Sequence, residues 1–145
     1  MTTVDIILAN KGNQVWSIAP SAQVFEALEL MAAKNVGALL VLHGEKIVGI
    51  MSERDYARKV ILKGKSSKST PVSEIMTAEV LYVTPSQSVE ECLLLMTNKK
   101  IRHLPVLEND ELVGIISIGD VVNEMITEKE LLIEQLENYI KGAGR

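Results

Sequence analysis

The sequence predicts an α+β fold in which two copies of a β-α-β-β-α unit pack sheet to sheet as one module, with a C-terminal helical tail. Residues 15–61 align with residues 80–126 without a gap, and 18 of the 47 aligned positions are identical. In both copies the hydrophobic pattern changes from the period of a strand to that of a helix and back. The chain is 47% hydrophobic but only 3% aromatic, so its core is expected to be aliphatic.

Each repeat contains the same predicted elements in the same order. A short apolar run, Val15–Ile18 or Val80–Val83, predicts a first strand, and the Pro-Ser that follows is read as a helix start. Apolar residues three and four positions apart then give this helix one apolar face. Two more strands follow as a hairpin around the polar turns "HGE" and "ENDE". The segment "GKSSKSTP" (64–71), rich in Ser, Lys and Gly, is predicted to link the two repeats.

The repeat sets the expected domain boundaries. Residues 1–66 hold the first repeat with an N-terminal lead-in, residues 67–127 hold the second, and residues 128–145 form a helical extension. The lead-in "VDIIL" at 4–8 is similar to "VSEIM" at 72–76. Because a unit of about 60 residues buries only a marginal share of its surface, the two repeats are expected to share one core.

Composition narrows the class of protein. A net charge of −4 and few aromatic residues argue against nucleic-acid binding, which usually shows a basic footprint and stacking side chains. The single cysteine, Cys92, forms no internal disulfide and favours a reducing, cytoplasmic setting. The N-terminus lacks the pattern of a signal peptide, and the apolar run at 36–42 is too short to span a membrane.

The same heptapeptide pattern closes the last strand of each repeat. It reads "GIMSERD" at 49–55 and "GIISIGD" at 114–120, and both copies end in Ser-x-x-Asp. This spacing is that of a capping box, in which side chains satisfy the free N–H groups of a helix's first turn. The same position also suits a ligand, because a helix N-terminus attracts anions and a carboxylate can accept ribose hydroxyls. The pattern alone leaves both interpretations open.

The combination of these features resembles the cystathionine-β-synthase (CBS) domain family, whose domains pair into Bateman modules. The resemblance rests on the tandem units, the Pro after each first strand, "IRHLPVL" at 101–107 and the doubled Gly-h-h-Ser-x-x-Asp, where h is hydrophobic. It covers about residues 4–127 and is similar to the short stand-alone bacterial type. It implies a regulatory sensor without catalysis that binds AMP, ADP, ATP or NAD and forms a disc-like homodimer.

The resemblance also implies binding residues in two clefts between the repeats. In each cleft the aspartate holds the ribose hydroxyls, and the adenine lies against main chain of the other repeat. The implied first set is Ser52, Arg54, Asp55, Ile101, Arg102 and His103, and the implied second set is Ser117, Asp120, Val36, Gly37 and Ala38, with Thr77 as a weaker candidate.

Basic residues are concentrated beside the first of these clefts. Between Arg54 and Lys68 there are six Lys or Arg residues against one acid, Asp55. Because positive charge attracts phosphates, the Asp55 cleft is predicted to bind a phosphorylated ligand more tightly than the Asp120 cleft. Two other interpretations of the basic run stay open: a solvated helix face, and a surface for nucleic acid.

No catalytic or metal-binding pattern stands out. Neither His103 nor the only other histidine has neighbours with metal-ligand spacing, and no nucleophile–base set is visible.

The tail carries an apolar stripe, which either folds back on the module or packs on a second copy. The alternative to a nucleotide sensor is therefore a structural module that dimerises or docks a partner with ligand-empty clefts. The stripe consists of Leu132, Ile133, Leu136, Tyr139 and Ile140.

Overall fold

The computed structural model describes residues 2–143, which contain six α-helices, one 3-10 turn and five strands in two sheets. Residues 14–81 form one unit, the first unit, whereas residues 2–13 and 82–143 together form the second unit. The predicted α+β class is confirmed. No helix within the described residues has both the length and the apolar character needed to cross a membrane.

The first unit is built on a three-stranded sheet. Strand β1 runs parallel to β2, and β2 pairs antiparallel with β3 through a tight turn in which Gly44 has φ +64°. A positive φ costs a glycine little, because it has no Cβ. The elements are β1 (Ser17–Ile18), α2 (Val24–Lys34), β2 (Ala38–His43), β3 (Lys46–Ser52), α3 (Glu53–Lys59), the 3-10 turn Ile61–Lys63 and α4 (Val72–Ile75).

The second unit is built on a two-stranded antiparallel sheet, β4 and β5. Its hairpin turn, Asn109 and Asp110, has positive φ at both residues, which these side chains tolerate better than most. The bulge between Val106 and Leu107 matches the one between Val41 and Leu42 in the first unit. The elements are α1 (Val4–Lys11), α5 (Val89–Lys99), β4 (His103–Glu108), β5 (Glu111–Ser117) and α6 (Ile118–Ala143).

The predicted first strand of the second repeat, Val80–Val83, does not form as a strand. Val83 alone makes a parallel bridge to β4. In the first repeat the N–H of Leu40 donates to the carbonyl of Trp16 at 3.3 Å, which joins β1 to β2. The position that matches Leu40 is Pro105, which has no N–H to donate.

The two Pro-Ser pairs lie in turns and do not begin the helices as predicted. Helix α2 begins at Val24 and α5 at Val89, each three residues beyond its Pro-Ser. The true cap of α5 is Ser88, whose Oγ accepts the N–H of Glu91 at 3.1 Å. Each Pro-Ser instead occupies the turn before the cap, a position that the fixed φ of proline favours.

Each unit has its own core of aliphatic and sulfur-containing side chains. The aliphatic character agrees with the composition, but the buried residues form two separate clusters and not the single shared core that was expected. In the first unit most of these residues come from α2, β2, β3 and α4, and in the second unit from α1, α5, β4, β5 and the start of α6. Cys92 lies fully buried on α5 among them. Burial raises the pKa of its thiol to about 11, with a further contribution from the charge of Glu91. Cys92 therefore packs as a small hydrophobic residue of this core.

Each lead-in segment packs in the unit that contains the other repeat. Helix α1 precedes the first repeat but buries Val4, Ile7 and Leu8 in the core of the second unit. Helix α4 precedes the second repeat but buries Val72 and Ile75 in the core of the first unit. Each lead-in therefore belongs by packing to the unit of the other repeat, whereas the predicted boundaries divide the chain by sequence likeness and stay predictions.

The glycine that opens each heptapeptide makes room for a lead-in side chain. A Cβ on Gly114 would lie 2.6 Å from Cδ2 of Leu8, and one on Gly49 would lie 2.6 Å from Sδ of Met76. Both distances are shorter than van der Waals contact. The glycines in "GIMSERD" and "GIISIGD" are thus explained by close packing of α1 and of the residue after α4.

Candidate functional site

Both Ser-x-x-Asp motifs occupy the junction where a strand passes into a helix. Ser52 is the last residue of β3, and Asp55 lies in the first turn of α3. Ser117 is the last residue of β5, and Asp120 lies in the first turn of α6. The capping geometry that the spacing predicted is present at both junctions.

At the first junction the carboxylate of Asp55 is held on both oxygens. The N–H of Ser52 donates to Asp55 Oδ2 at 2.9 Å, and the N–H of Asp55 donates to Ser52 Oγ at 3.2 Å. Lys59 Nζ, one turn further along α3, lies 3.0 Å from Asp55 Oδ1 and donates to the carbonyl of Ile75 at 2.9 Å. The side chain of Asp55 is only 14% exposed. Its orientation is therefore fixed without a ligand.

At the second junction the carboxylate of Asp120 has a similar anchor but a different cation. The N–H of Ser117 donates to Asp120 Oδ2 at 2.8 Å, and the N–H of Asp120 donates to Ser117 Oγ at 3.1 Å. Lys11 Nζ, on α1, lies 2.7 Å from the same Oδ2 and donates to the carbonyl of Ile115 at 3.0 Å. Within residues 2–143 no buried side-chain oxygen lacks a partner. The Oδ1 atom, which these contacts leave unused, is thus open to solvent.

The environment of Asp120 favours its charged form. Burial by itself would raise the pKa of this carboxyl group, but the hydrogen bond from Lys11 and those from Ser117 outweigh burial. The pKa of Asp120 therefore lies below its ordinary value. A carboxylate in this state accepts hydrogen bonds and donates none, which suits a ligand with hydroxyl groups.

The main-chain segments predicted to face adenine border these junctions. In the first unit Ala38 pairs with Ser52, and the N–H of Glu53 donates to the carbonyl of Gly37 at 3.1 Å. Val36 lies half-buried just before them.

In the second unit His103 pairs with Ser117, and the N–H of Ile118 donates to the carbonyl of Arg102 at 2.8 Å. Ile101 is half-buried and Arg102 is exposed. The predicted combinations, Asp55 with residues 101–103 and Asp120 with residues 36–38, join residues of two units and stay predictions.

The two remaining candidates lie close to the first junction. Thr77 extends the sheet beside β3, since its N–H donates to the carbonyl of Ile50 at 2.8 Å and its carbonyl accepts the N–H of Ile50 at 3.0 Å. Arg54 is exposed on the first turn of α3. Both lie in the first unit together with Ser52 and Asp55.

His103 is placed to be neutral near pH 7. Burial lowers the pKa of its imidazole, and the positive charges of Lys11 and Arg102 lower it further against the opposing charge of Asp120. A neutral imidazole can both donate and accept hydrogen bonds. The described residues contain no cluster of His, Cys, Asp and Glu that could hold a metal ion.

Two lysines of these sites were missed in the sequence. In the sequence Lys59 belongs only to the basic run, and no local spacing connects Lys11 with Asp120, which lies 109 residues away. Lys11 adds positive charge at the second junction, whereas the basic run of the sequence lies beside the first. The likeness of the lead-ins "VDIIL" and "VSEIM" was the one available signal, since it shows that residues before each repeat belong to the repeated unit.

Comparisons with known proteins agree with this architecture. The family model of the CBS domain matches residues 7–62 and 72–132. A mitochondrial CBS domain-containing protein of Arabidopsis thaliana is 40% identical over 151 residues, covering 97% of this chain and 73% of that protein. The solved structure of a protein with CBS domains from Burkholderia ambifaria is 53% identical with a TM-score of 0.85, covering 87% of this chain and 95% of that chain.

Other solved structures share the fold. A CBS-domain protein from Agrobacterium tumefaciens is 35% identical with a TM-score of 0.82, covering 86% of this chain and 99% of that chain. A hexameric CBS-CP12 protein from bloom-forming cyanobacteria is 33% identical with a TM-score of 0.76, covering 84% of this chain and 71% of that chain. A CBS domain pair solved with 5′-methylthioadenosine and S-adenosyl-L-methionine is 23% identical with a TM-score of 0.78, covering 88% of this chain and 98% of that chain. The family model matches most of this chain in two copies, and the Arabidopsis relative is similar along nearly all of it. The chain therefore belongs to the CBS domain family and carries two CBS repeats.

Proposed function

We propose that this chain is a regulatory module that binds an adenosine-containing ligand and performs no catalysis. The doubled Ser-x-x-Asp geometry carries the proposal. Each carboxylate is oriented by the main-chain N–H of the serine three residues earlier, so little ordering of the side chain is needed when a ligand binds. Carboxylate oxygens fixed in this way are suitable acceptors for two neighbouring ribose hydroxyls.

The proposed contacts follow the family arrangement. The carboxylates of Asp55 and Asp120 accept the ribose hydroxyls, and main chain near the paired strands contacts the adenine. The proposed set comprises Ser52, Arg54, Asp55, Ile101, Arg102 and His103 for one ligand, and Ser117, Asp120, Val36, Gly37 and Ala38 for the other, with Thr77 at the edge of the first set.

The two lysines favour a ligand that carries phosphate. Lys59 and Lys11 each hold one of the carboxylates that the ribose would use. A nucleoside that displaces a lysine leaves it without an anionic partner, whereas a nucleotide supplies a phosphate in exchange. We therefore propose AMP, ADP, ATP or NAD as the ligand class.

Regulation would follow from a difference in ligand affinity between two arrangements of the protein. A ligand can shift such an equilibrium by no more than its differential affinity for the two states. The neighbour solved with 5′-methylthioadenosine and S-adenosyl-L-methionine supports adenosine derivatives as a class, because those ligands share the nucleoside. At 23% identity it does not indicate which member binds here.

Thermal unfolding with and without 1 mM AMP, ADP, ATP or NAD tests the proposal, after mass spectrometry has excluded a co-purified nucleotide. A ligand at about 100 times its Kd adds roughly 2.7 kcal/mol, which corresponds to several degrees in Tm. The shift should disappear in Asp55→Ala or Asp120→Ala, each compared with its own ligand-free Tm. Glu29→Ala, an exposed carboxylate of α2, is the matched control and should keep the full shift. No shift with any of the four ligands would overturn the proposal.

The same variants rank the two sites. The basic run beside Asp55 supports tighter nucleotide binding there, although the positive charge of Lys11 beside Asp120 reduces the expected difference in affinity between the two sites. In calorimetric titration Asp55→Ala should therefore lose more affinity than Asp120→Ala, and the opposite ranking would remove this part of the proposal.

The quaternary state and location complete the proposal. We propose a homodimer, as the resemblance implied, and a reducing, cytoplasmic location, which fits the buried free thiol of Cys92. The Arabidopsis relative is mitochondrial, so cell fractionation is the deciding measurement for location.

The second candidate function is a docking module with ligand-empty clefts. The exposed apolar side chains on the second half of α6 favour it, and the hexameric CBS-CP12 relative shows that a CBS protein can assemble further. A stable oligomer without any nucleotide effect on Tm would support this candidate over the first.

A further inference from the structure

Within residues 2–143 nothing covers the second half of α6. Every residue from Lys129 to Gly142 is exposed, including apolar side chains as large as Leu136 and Tyr139, the latter 75% exposed. A helix of this length is marginal in water by itself and depends on packing for its stability. An apolar helical face of this size on a soluble protein usually marks an interaction site.

The exposed apolar residues form one stripe with acidic edges. Spacings of three and four place Leu132, Leu136 and Tyr139 on the same side of the helix. Ile133 and Ile140 lie next to these residues and widen the stripe. Glu128 borders the stripe beside Leu132, whereas Glu130 and Glu137 border it beside Ile133, three positions before it and four positions after it. None of these three glutamates forms an ion pair within residues 2–143.

A surface of opposite charge lies around the 3-10 turn of the first unit. We call it the basic loop surface: Phe25, Arg58, Ile61, Leu62, Lys63, Lys65 and Lys68. Its apolar members are exposed, Ile61 by 56% and Leu62 by 77%. The N–H of Phe25 donates to the carbonyl of Ser67 at 2.9 Å, and the N–H of Lys65 donates to the carbonyl of Val60 at 3.0 Å, so main-chain bonds hold its shape.

Part of the positive charge of this surface already has a partner. Lys65 lies 3.7 Å from Glu74, and Lys68 stands over the ring of Phe25 at 4.9 Å. Arg58 and Lys63 have no ion pair within the described residues. They flank the exposed Ile61 and Leu62 in sequence, as the glutamates flank the stripe on α6.

We propose that α6 of one copy docks on the basic loop surface of a second copy, and that the second copy returns the same contact. Leu132, Leu136 and Tyr139 cover Ile61 and Leu62, while the glutamate edges face Arg58 and Lys63. Such an exchange is closed and two-fold, the commonest symmetry of soluble dimers. Pairing of α6 with α6 of the other copy is disfavoured, because between Glu124 and Lys141 each helix carries five acids against two bases.

The proposal rests on the homodimer and is independent of ligand binding. Two charge-reversed variants test it by sedimentation. The tail variant carries Glu130→Lys and Glu137→Lys, and the loop variant carries Arg58→Glu and Lys63→Glu. All four side chains are exposed and make no hydrogen bond within residues 2–143, so both variants should fold. Each variant alone brings like charges together, and its dimer dissociation constant should rise at least tenfold.

Mixing the two variants gives the decisive result. In a mixed pair the basic tail meets the acidic loop and the natural acidic tail meets the natural basic loop, so the dimer should return to near its original affinity. A loop variant that dimerises like the natural chain would overturn the proposal in favour of pairing between α6 helices. Two monomeric variants that stay monomeric when mixed would also overturn it. If both variants alone dimerise normally, the homodimer stands and this interface is wrong.

The apolar half of the contact has a separate test. Leu136→Ser and Leu62→Ser should each weaken the dimer, because each removes an apolar side chain from the buried centre of the interface. Leu94→Ser, at an exposed leucine of α5 outside both surfaces, is the control and should leave the dimer unchanged. Equal weakening by all three would contradict the proposed contact.

Discussion

The two Ser-x-x-Asp junctions share their anchors and differ in the origin of their cation. At Asp55 the lysine is Lys59, one turn along the same helix. At Asp120 the lysine is Lys11, which comes from α1 and is 109 residues away in the chain. The ion pair of the first junction therefore lies within one helix, whereas that of the second junction requires that α1 is docked.

The aligned positions explain this difference, because a glutamate stands at the position that matches each lysine. The residue that matches Lys59 in the second repeat is Glu124, which cannot serve a carboxylate. The residue that matches Lys11 after "VSEIM" is Glu79. Each unit thus provides one lysine to its own carboxylate, but from different elements. Equal motifs do not imply equal sites, because a site also depends on segments that another part of the chain supplies.

The largest effect is expected from loosening α1. Leu8 is buried in the core of the second unit and packs on Gly114. Leu8→Ala should lower the free energy of unfolding by about 2–5 kcal/mol, the usual cost of a leucine cavity. Met76→Ala, at the matching place in the first unit, should cost less because Met76 is only half-buried. Urea denaturation measures both values.

Hydrogen exchange locates the effect of Leu8→Ala. Amides of β4 and β5 should exchange faster in this variant, while those of β2 and β3 keep their protection. Equal acceleration in both sheets would show that α1 supports the whole chain, and the contrast between the two junctions would then lose its basis.

A smaller effect is expected at the two glycines. Gly114→Ala would push a methyl group into Leu8, and such overpacking costs about 1–3 kcal/mol. Gly49→Ala should cost less, because the thioether of Met76 is flexible and can move aside. The double variant Leu8→Ala/Gly114→Ala should lose less unfolding free energy than the sum of the losses in the two single variants, since the cavity accepts the methyl group. Strict additivity in urea denaturation would contradict this packing.

Local pattern predicted much of the fold and part of the site. The alternation of apolar residues predicted both hairpins, and the Ser-x-x-Asp spacing predicted both caps, because these features depend on neighbours in sequence. The loss of a strand at Val80–Val83 depended on Pro105, which lacks the N–H that the matching Leu40 donates to a distant segment. Lys11 and the exchange of lead-ins depended on tertiary packing. A repeat alignment compares equivalent positions, so it does not reveal which unit a segment joins.

The smallest expected effect is electrostatic and distinguishes the two junctions directly. Lys11→Ala removes the hydrogen bond and the charge that lower the pKa of Asp120, and also a charge that lowers the pKa of His103. Both pKa values should rise in this variant when followed by NMR titration. Lys46→Ala, an exposed lysine at the start of β3, is the control and should move neither value.

The effect of Lys11→Ala on the unfolding free energy should depend on pH. A depressed carboxyl pKa stabilises the fold above the unfolded value of about 3.9 and loses this contribution as the pH falls through the folded value. Because the pair is partly exposed, its contribution should be below about 1 kcal/mol. The natural chain should therefore exceed Lys11→Ala in unfolding free energy near pH 6, and the difference should vanish well below pH 3.9. A difference in unfolding free energy that persists unchanged well below pH 3.9 would mean that Lys11 acts through packing of its methylene chain on β5. The ion pair with Asp120 would then have no part in holding α1.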